Sequence, residues 1–143
     1  MRLQRLLPLL QAHPSLERVL AGETTLLSAI TPARPYAVAA LHAAVGRPML
    51  VVVPRPSEAR AYANELTAWA RDPDDVLLFP ETDALPYDRL PNDAEKLAER
   101  LGTLERLAGL AQADTPPLVV ASVRAAMDLV LDPQAFRDNH API

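Results

Sequence analysis

Residues 49–53, Met49-Leu50-Val51-Val52-Val53, form an uninterrupted apolar run dominated by β-branched side chains. A strand of a parallel sheet with both faces covered reads this way, because neither face meets water and no polar alternation is imposed. Working outward, Val76–Phe79 and Leu118–Ala121 repeat the pattern at wide spacing. Between them lie stretches with helical rather than alternating periodicity. Ser57 is placed to cap a helix bearing Ala59, Tyr62, Ala63, Leu66 and Trp69, which is broken by Asp72-Pro73-Asp74-Asp75. Asn92 and Glu95 form a capping-box variant opening a long helix whose Leu97, Leu101, Leu104 and Leu107 or Ala108 predict the buried face. Ser122 can cap a further helix carrying Val123, Met127 and Val130, closed by Asp132-Pro133.

On the other side of 49–53, Val38, Leu41, His42 and Val45 give a helical stripe that ends at Gly46, a residue suited to the left-handed position after a helix. Residues 24–30 (TTLLSAI) read as a first strand. Leu3, Leu6, Leu7 and Leu10 predict an amphipathic helix disturbed by Pro8, with a second turn from Ser15 to Leu20, together a helical cover over residues 1–22. Strands alternating with helices at this rhythm predict an α/β domain: a parallel sheet, right-handed crossovers and helices on both faces, in three layers of the Rossmann or P-loop kind. Trp69 and Tyr62 are expected in the core.

The chain has 143 residues, half of them apolar and 22% charged, enough to bury one core. A net charge of −4, with Lys96 the only lysine, gives no cationic footprint for tight nucleic-acid binding. The absence of cysteine excludes disulfides, thiolate nucleophiles and Cys-based zinc sites, and fits a reducing cytoplasm. No signal peptide or bilayer-spanning run is legible.

In such folds the turn after a strand is the first place to seek phosphate chemistry. Here that turn is Ser28-Ala29-Ile30-Thr31-Pro32-Ala33-Arg34-Pro35. A phosphate loop, G-x-x-x-x-G-K-[ST], needs glycines to wrap the phosphate, a lysine for its charge and a hydroxyl for magnesium. Ser28 and Ala33 stand in place of the glycines, Arg34 in place of the lysine and Pro35 in place of the hydroxyl residue. The sequence therefore reads as a degenerate phosphate loop, without a bound cofactor, metal or catalytic group. A competing reading, a small phosphate- or nucleotide-handling enzyme, would combine Arg34 with the acidic cluster Glu81, Asp83 and Asp88. His13, His42 and His140 have no metal-ligand spacing, and Ser28, Ser57 and Ser122 lack a nucleophile-elbow context.

Residues 26–66 (LLSAITPARPYAVAALHAAVGRPMLVVVPRPSEARAYANEL) resemble the first β–P-loop–α–β–α unit of the UvrB subunit of the bacterial excision nuclease, with Arg47-Pro48 before the apolar strand and an Ala-rich helix after it. Val119-Val120-Ala121-Ser122-Val123 followed by Asp132-Pro133 is similar to the next strand and helix. Leu85-Pro86-Tyr87, then Arg100-Leu101 with Thr103-Leu104, is similar to the N-terminal module of transcription-repair coupling factors, and no room is left after Tyr87 for a DNA-clamping hairpin. The resemblance implies a UvrB-like domain over residues 1–133, with 134–143 beginning a following subdomain or linker. It further implies a non-catalytic scaffold in a protein that, as a whole, is an ATP- and magnesium-dependent DNA translocase with UvrA, RNA polymerase and DNA as partners. Leu85, Pro86 and Tyr87 are then expected to pack on another domain of the same chain, and no membrane is involved.

Overall fold

The computed structural model describes residues 3–82, 93–109, 115–130 and 132–138. Its centre is a parallel sheet of β1 (Met49–Val53), β2 (Val76–Phe79) and β3 (Leu118–Ser122), ordered β1-β3-β2. Val51 pairs with Val120, and Leu78 pairs with the same residue from the other side. β3 is thus the middle strand, and Leu118, Val119, Val120, Ala121 and Ser122 are all buried. The three apolar runs are short enough that none makes a stable helix on its own, and β1 and β3 are β-branched, while a central strand must shed water from both faces.

The connections are helices, as parallel pairing requires. Helix α4 (Pro56–Thr67) carries the chain from β1 to β2, and α5 (Ala94–Leu107) lies between β2 and β3. Ala59, Ala63 and Leu66 of α4 pack against Leu118 and Val120 on one face of the sheet. Helix α3 (Arg34–Val45) adds Ala39 and Ala40 to that cluster, and α1 (Leu7–Gln11) adds Leu7. Small side chains let α4 lie close to the sheet and α3 close to α4. Helix α2 (Pro14–Leu20) buries Leu16. Tyr36 and Trp69, with ring centroids 4.9 Å apart, close the side of this cluster, and Tyr62 packs against it. Arg100 of α5 stacks on Phe79, whose side chain points away from the α4 side, so α5 covers the opposite face and completes three layers.

Helix ends follow local chemistry. Gly46 adopts φ 60° after α3, a conformation that costs a residue with a Cβ about 1 kcal/mol or more. Asp93 caps α5 by accepting from the Glu95 amide at 3.0 Å. Ser122 caps α6 (Val123–Met127) by accepting from the Ala125 amide at 3.1 Å, and α7 (Pro133–Asp138) follows. The cap of α4, by contrast, is Arg55, with no side-chain hydrogen bond; Pro56 sets the first turn and Ser57 lies inside the helix, so the expected Ser57 cap is not formed. Asn92 lies outside the described residues.

Four further expectations are corrected. Residues 24–30 adopt no regular structure and pair with no described strand, and Leu26 is 92% exposed. Strand propensity without a neighbour to accept its ladder bonds does not make a strand. β1 is a sheet edge whose Leu50 and Val52 are 58% and 48% exposed, so only one of its faces is covered. On α5 the leucine stripe turns away from the sheet: Leu97, Leu101 and Leu107 are exposed, whereas Arg100 and Thr103 are buried. Val123, Met127 and Val130 are likewise exposed rather than inward.

Candidate functional site

At the carboxyl ends of parallel strands, crevices between diverging helices hold ligands in many α/β folds. The corresponding cavity here, about 200 Å³, lies between the first turn of α4 (Pro56, Ser57), the exit of β2 (Phe79, Pro80, Glu81), Lys96 and Ser122. Several charged and polar groups around it are already engaged. Arg60 pairs with Glu99 at 3.3 Å, Arg55 pairs with Glu58, the Ser122 hydroxyl is occupied as a helix cap, and Glu81 lies 4.0 Å from Arg124.

Beside this crevice sits a network the sequence did not announce. The Arg100 guanidinium donates to the Pro80 carbonyl at 2.5 Å, lies 3.5 Å from Asp128 Oδ2 and stacks on Phe79. Asp128 also accepts from the amide and hydroxyl of Thr82, at 3.2 and 3.1 Å. Thr103 donates its hydroxyl to the Leu78 carbonyl at 3.2 Å. Burial lowers the Arg100 pKa from its ordinary value and Asp128 opposes the shift. These bonds lock α5 to the exit of β2.

The turn from Ser28 to Pro35 has a different geometry from the one expected. Thr31–Ala33 form one turn of 3₁₀ helix that runs directly into α3, and Arg34 is exposed, its Nε donating at 3.4 Å to the Ala29 carbonyl. Pro35 is buried in the first turn of α3 and Ser28 is exposed. Because residues 24–30 pair with no described strand, this turn does not follow a strand of the sheet. Asp83, Asp88, Leu85, Pro86 and Tyr87 lie outside the described residues, as does His140.

A second polar cluster occupies the amino end of the sheet. Asp75, buried just before β2, accepts from Arg106 at 3.0 Å on one oxygen and from the Thr115 hydroxyl on the other. His42, near the end of α3, faces the same region; its Nε2 is buried without a hydrogen-bond partner among the described residues. Desolvation lowers the His42 pKa, while the Pro116 carbonyl and the Asp75 charge pull the other way. The helix stripe placed the histidine, but its companions come from three distant segments and carry no common spacing. Among the described residues no group of three or more His, Asp or Glu side chains could hold a metal ion, and no helix is long and apolar enough to cross a membrane.

No protein-family profile matches the chain. Over 104 residues it is 35% identical to the transcription-repair-coupling factor of Myxococcus xanthus, a match that covers 69% of this chain and 8% of that much longer protein. Over this stretch the chain is related to a transcription-repair-coupling factor, and its α/β fold agrees with the class its sequence predicted.

Proposed function

We propose that the chain serves transcription-coupled DNA repair as a non-catalytic, UvrB-like scaffold and interaction module of a transcription-repair coupling factor. The observation that carries this reading is the 35% identity with the Myxococcus xanthus protein over 104 residues. In the proposed setting an ATP- and magnesium-dependent motor elsewhere in the parent protein moves along DNA and displaces stalled RNA polymerase. This module supports that assembly through contacts with neighbouring domains and with UvrA, in the cytoplasm.

Two structural features support a role in contact rather than chemistry. The carboxyl-end crevice has its charges paired internally, and the turn at Ser28, Ala33, Arg34 and Pro35 offers one exposed guanidinium without a glycine-lined cradle. The outward surface, in contrast, shows large apolar side chains on β1 and α5 (Leu50, Val52, Leu97 and Leu101), the kind of surface that marks interaction sites. Calorimetric titration tests both halves of the reading. ATP with magnesium should give no saturable heat, whereas purified UvrA or RNA polymerase should bind the 143-residue chain measurably. Micromolar ATP binding that disappears in Arg34→Ala would replace the scaffold reading with a nucleotide-handling one.

A further inference from the structure

The amino end of the sheet carries a cavity unrelated to the crevice discussed above. It has a volume of about 200 Å³, and its walls are mostly small or apolar: Ala39, Ala43, Ala70, Pro116 and Leu118. His42 and the already compensated Asp75 supply its polar edge, and Arg71 stands at its rim. Through Ala43 and Arg71 it adjoins a wider cleft of about 350 Å³ under the N-terminal helix, which Arg5 also lines.

Arg18, Arg55, Arg60, Arg100, Arg106 and Arg124 each sit against a carboxylate. Arg5, Arg34, Arg47, Arg71 and Arg137 have no carboxylate partner among the described residues, and of these Arg5 and Arg71 line one cleft together. Arg71 at the rim of the apolar cavity and Arg5 in the adjoining cleft form a composite site: the cavity removes an apolar body from water, and the guanidiniums offer forked donors to an anion. The cavity is too small for a nucleoside triphosphate and has no glycine-rich wall to wrap a phosphate chain.

We propose that this junction binds a small aromatic anion, a single ring carrying one carboxylate or phosphate, with the ring in the Ala39–Leu118 cavity and the anionic group between Arg71 and Arg5. His42, on the cavity wall, then reports occupancy through its ring resonances. The site is independent of the repair role proposed above.

Titration of the ¹⁵N-labelled 143-residue chain with phenyl phosphate and with benzoate, followed by NMR, tests the assignment. Saturable shifts centred on His42, Ala43, Ala70 and Arg71 are expected. Inorganic phosphate, which lacks the ring, and benzyl alcohol, which lacks the charge, should each bind at least about tenfold more weakly, the scale of losing one charge-assisted contact or one buried ring face. The Arg5→Gln/Arg71→Gln double variant changes two exposed, unpaired side chains, so it should keep the circular dichroism spectrum and lose about tenfold in phenyl phosphate affinity. The proposal is overturned if benzyl alcohol matches phenyl phosphate, if the double variant binds phenyl phosphate as tightly as the parent chain, or if the shifts map to the carboxyl-end crevice instead.

Discussion

The Arg100 guanidinium lies 4.0 Å above the centre of the Phe79 ring, so a charged side chain occupies the layer between α5 and β2 that a leucine usually fills. Its charge is tolerated because the Pro80 carbonyl and the Asp128 carboxylate meet it there. Removing it leaves the Pro80 carbonyl without this donor, leaves Asp128 with only its Thr82 bonds and no counter-charge here, and uncovers the ring. Arg100→Ala is expected to cost about 3 kcal/mol, and Arg100→Lys a good part of that, since an ammonium cannot stack and fork at once. Urea denaturation gives the number. A loss below about 0.5 kcal/mol would mean that the network contributes nothing to stability.

Asp75 ties three segments together through Arg106 and Thr115. Asp75→Ala strips Arg106 of its partner in a partly buried position and is expected to destabilise the fold by about 3 kcal/mol, whereas Asp75→Asn, which keeps the acceptor for Thr115, should cost less. Thermal midpoints of the two variants against the parent chain check the order. An equal loss in both would assign the effect to charge alone.

His42 makes stability depend on pH. Its folded-state pKa lies below the ordinary value of 6.5 because burial disfavours the charged ring. Between the folded value and 6.5 the unfolded chain holds more protons than the folded one, so stability falls as the pH drops from 6.5 toward the folded value and then levels off. Above pH 7 this contribution is fully present. In His42→Gln the part of the slope arising from this group should vanish, and parallel urea midpoints between pH 5 and 7.5 for the two proteins would remove the assignment.

Strand and helix types were legible because each depends on short-range pattern. Met49–Val53, Val76–Phe79 and Leu118–Ser122 announce themselves as short, mostly apolar runs bounded by turn residues, and Gly46 and Ser122 by the end chemistry of their helices. Orientation was less legible. The stripe Leu97–Leu101–Leu104 predicts the buried face of α5, but Thr103 and Arg100 rotate the helix by reaching the Leu78 and Pro80 carbonyls, contacts that span 25 and 20 residues and leave no local trace. Thr24–Ile30 shows the converse: strand-like composition cannot supply the neighbour a strand needs. The amino-end cluster was invisible for the same reason, since Arg5, His42, Arg71, Asp75 and Thr115 meet only once the sheet has formed.

Gly102 sits in the middle of α5 with nothing within 4 Å of the place a Cβ would take. A helical glycine costs about 1 kcal/mol relative to alanine, and open space means that no clash offsets the gain. Gly102→Ala is therefore expected to raise stability by about 1 kcal/mol in urea denaturation. A loss would show that this face of α5 is already covered in solution.

The outward leucines give the sharpest contrast between folding and binding. Leu66 is fully buried between α4 and the sheet, so Leu66→Ala opens a cavity and should cost about 2–5 kcal/mol. Leu50 and Leu101, 58% and 40% exposed, already keep much of their surface in water. Leu50→Ser and Leu101→Ser should therefore each change stability by less than about 1 kcal/mol. If this face meets a partner, as the proposed scaffold role requires, the same two variants should weaken that association well beyond their effect on folding, because the leucines are desolvated only in the complex. Stability measured by urea denaturation and affinity measured by calorimetry then separate. Variants that left the affinity for UvrA or RNA polymerase unchanged would move the contact surface elsewhere on the molecule, and variants that unfolded the chain would show that β1 and α5 depend on these leucines internally.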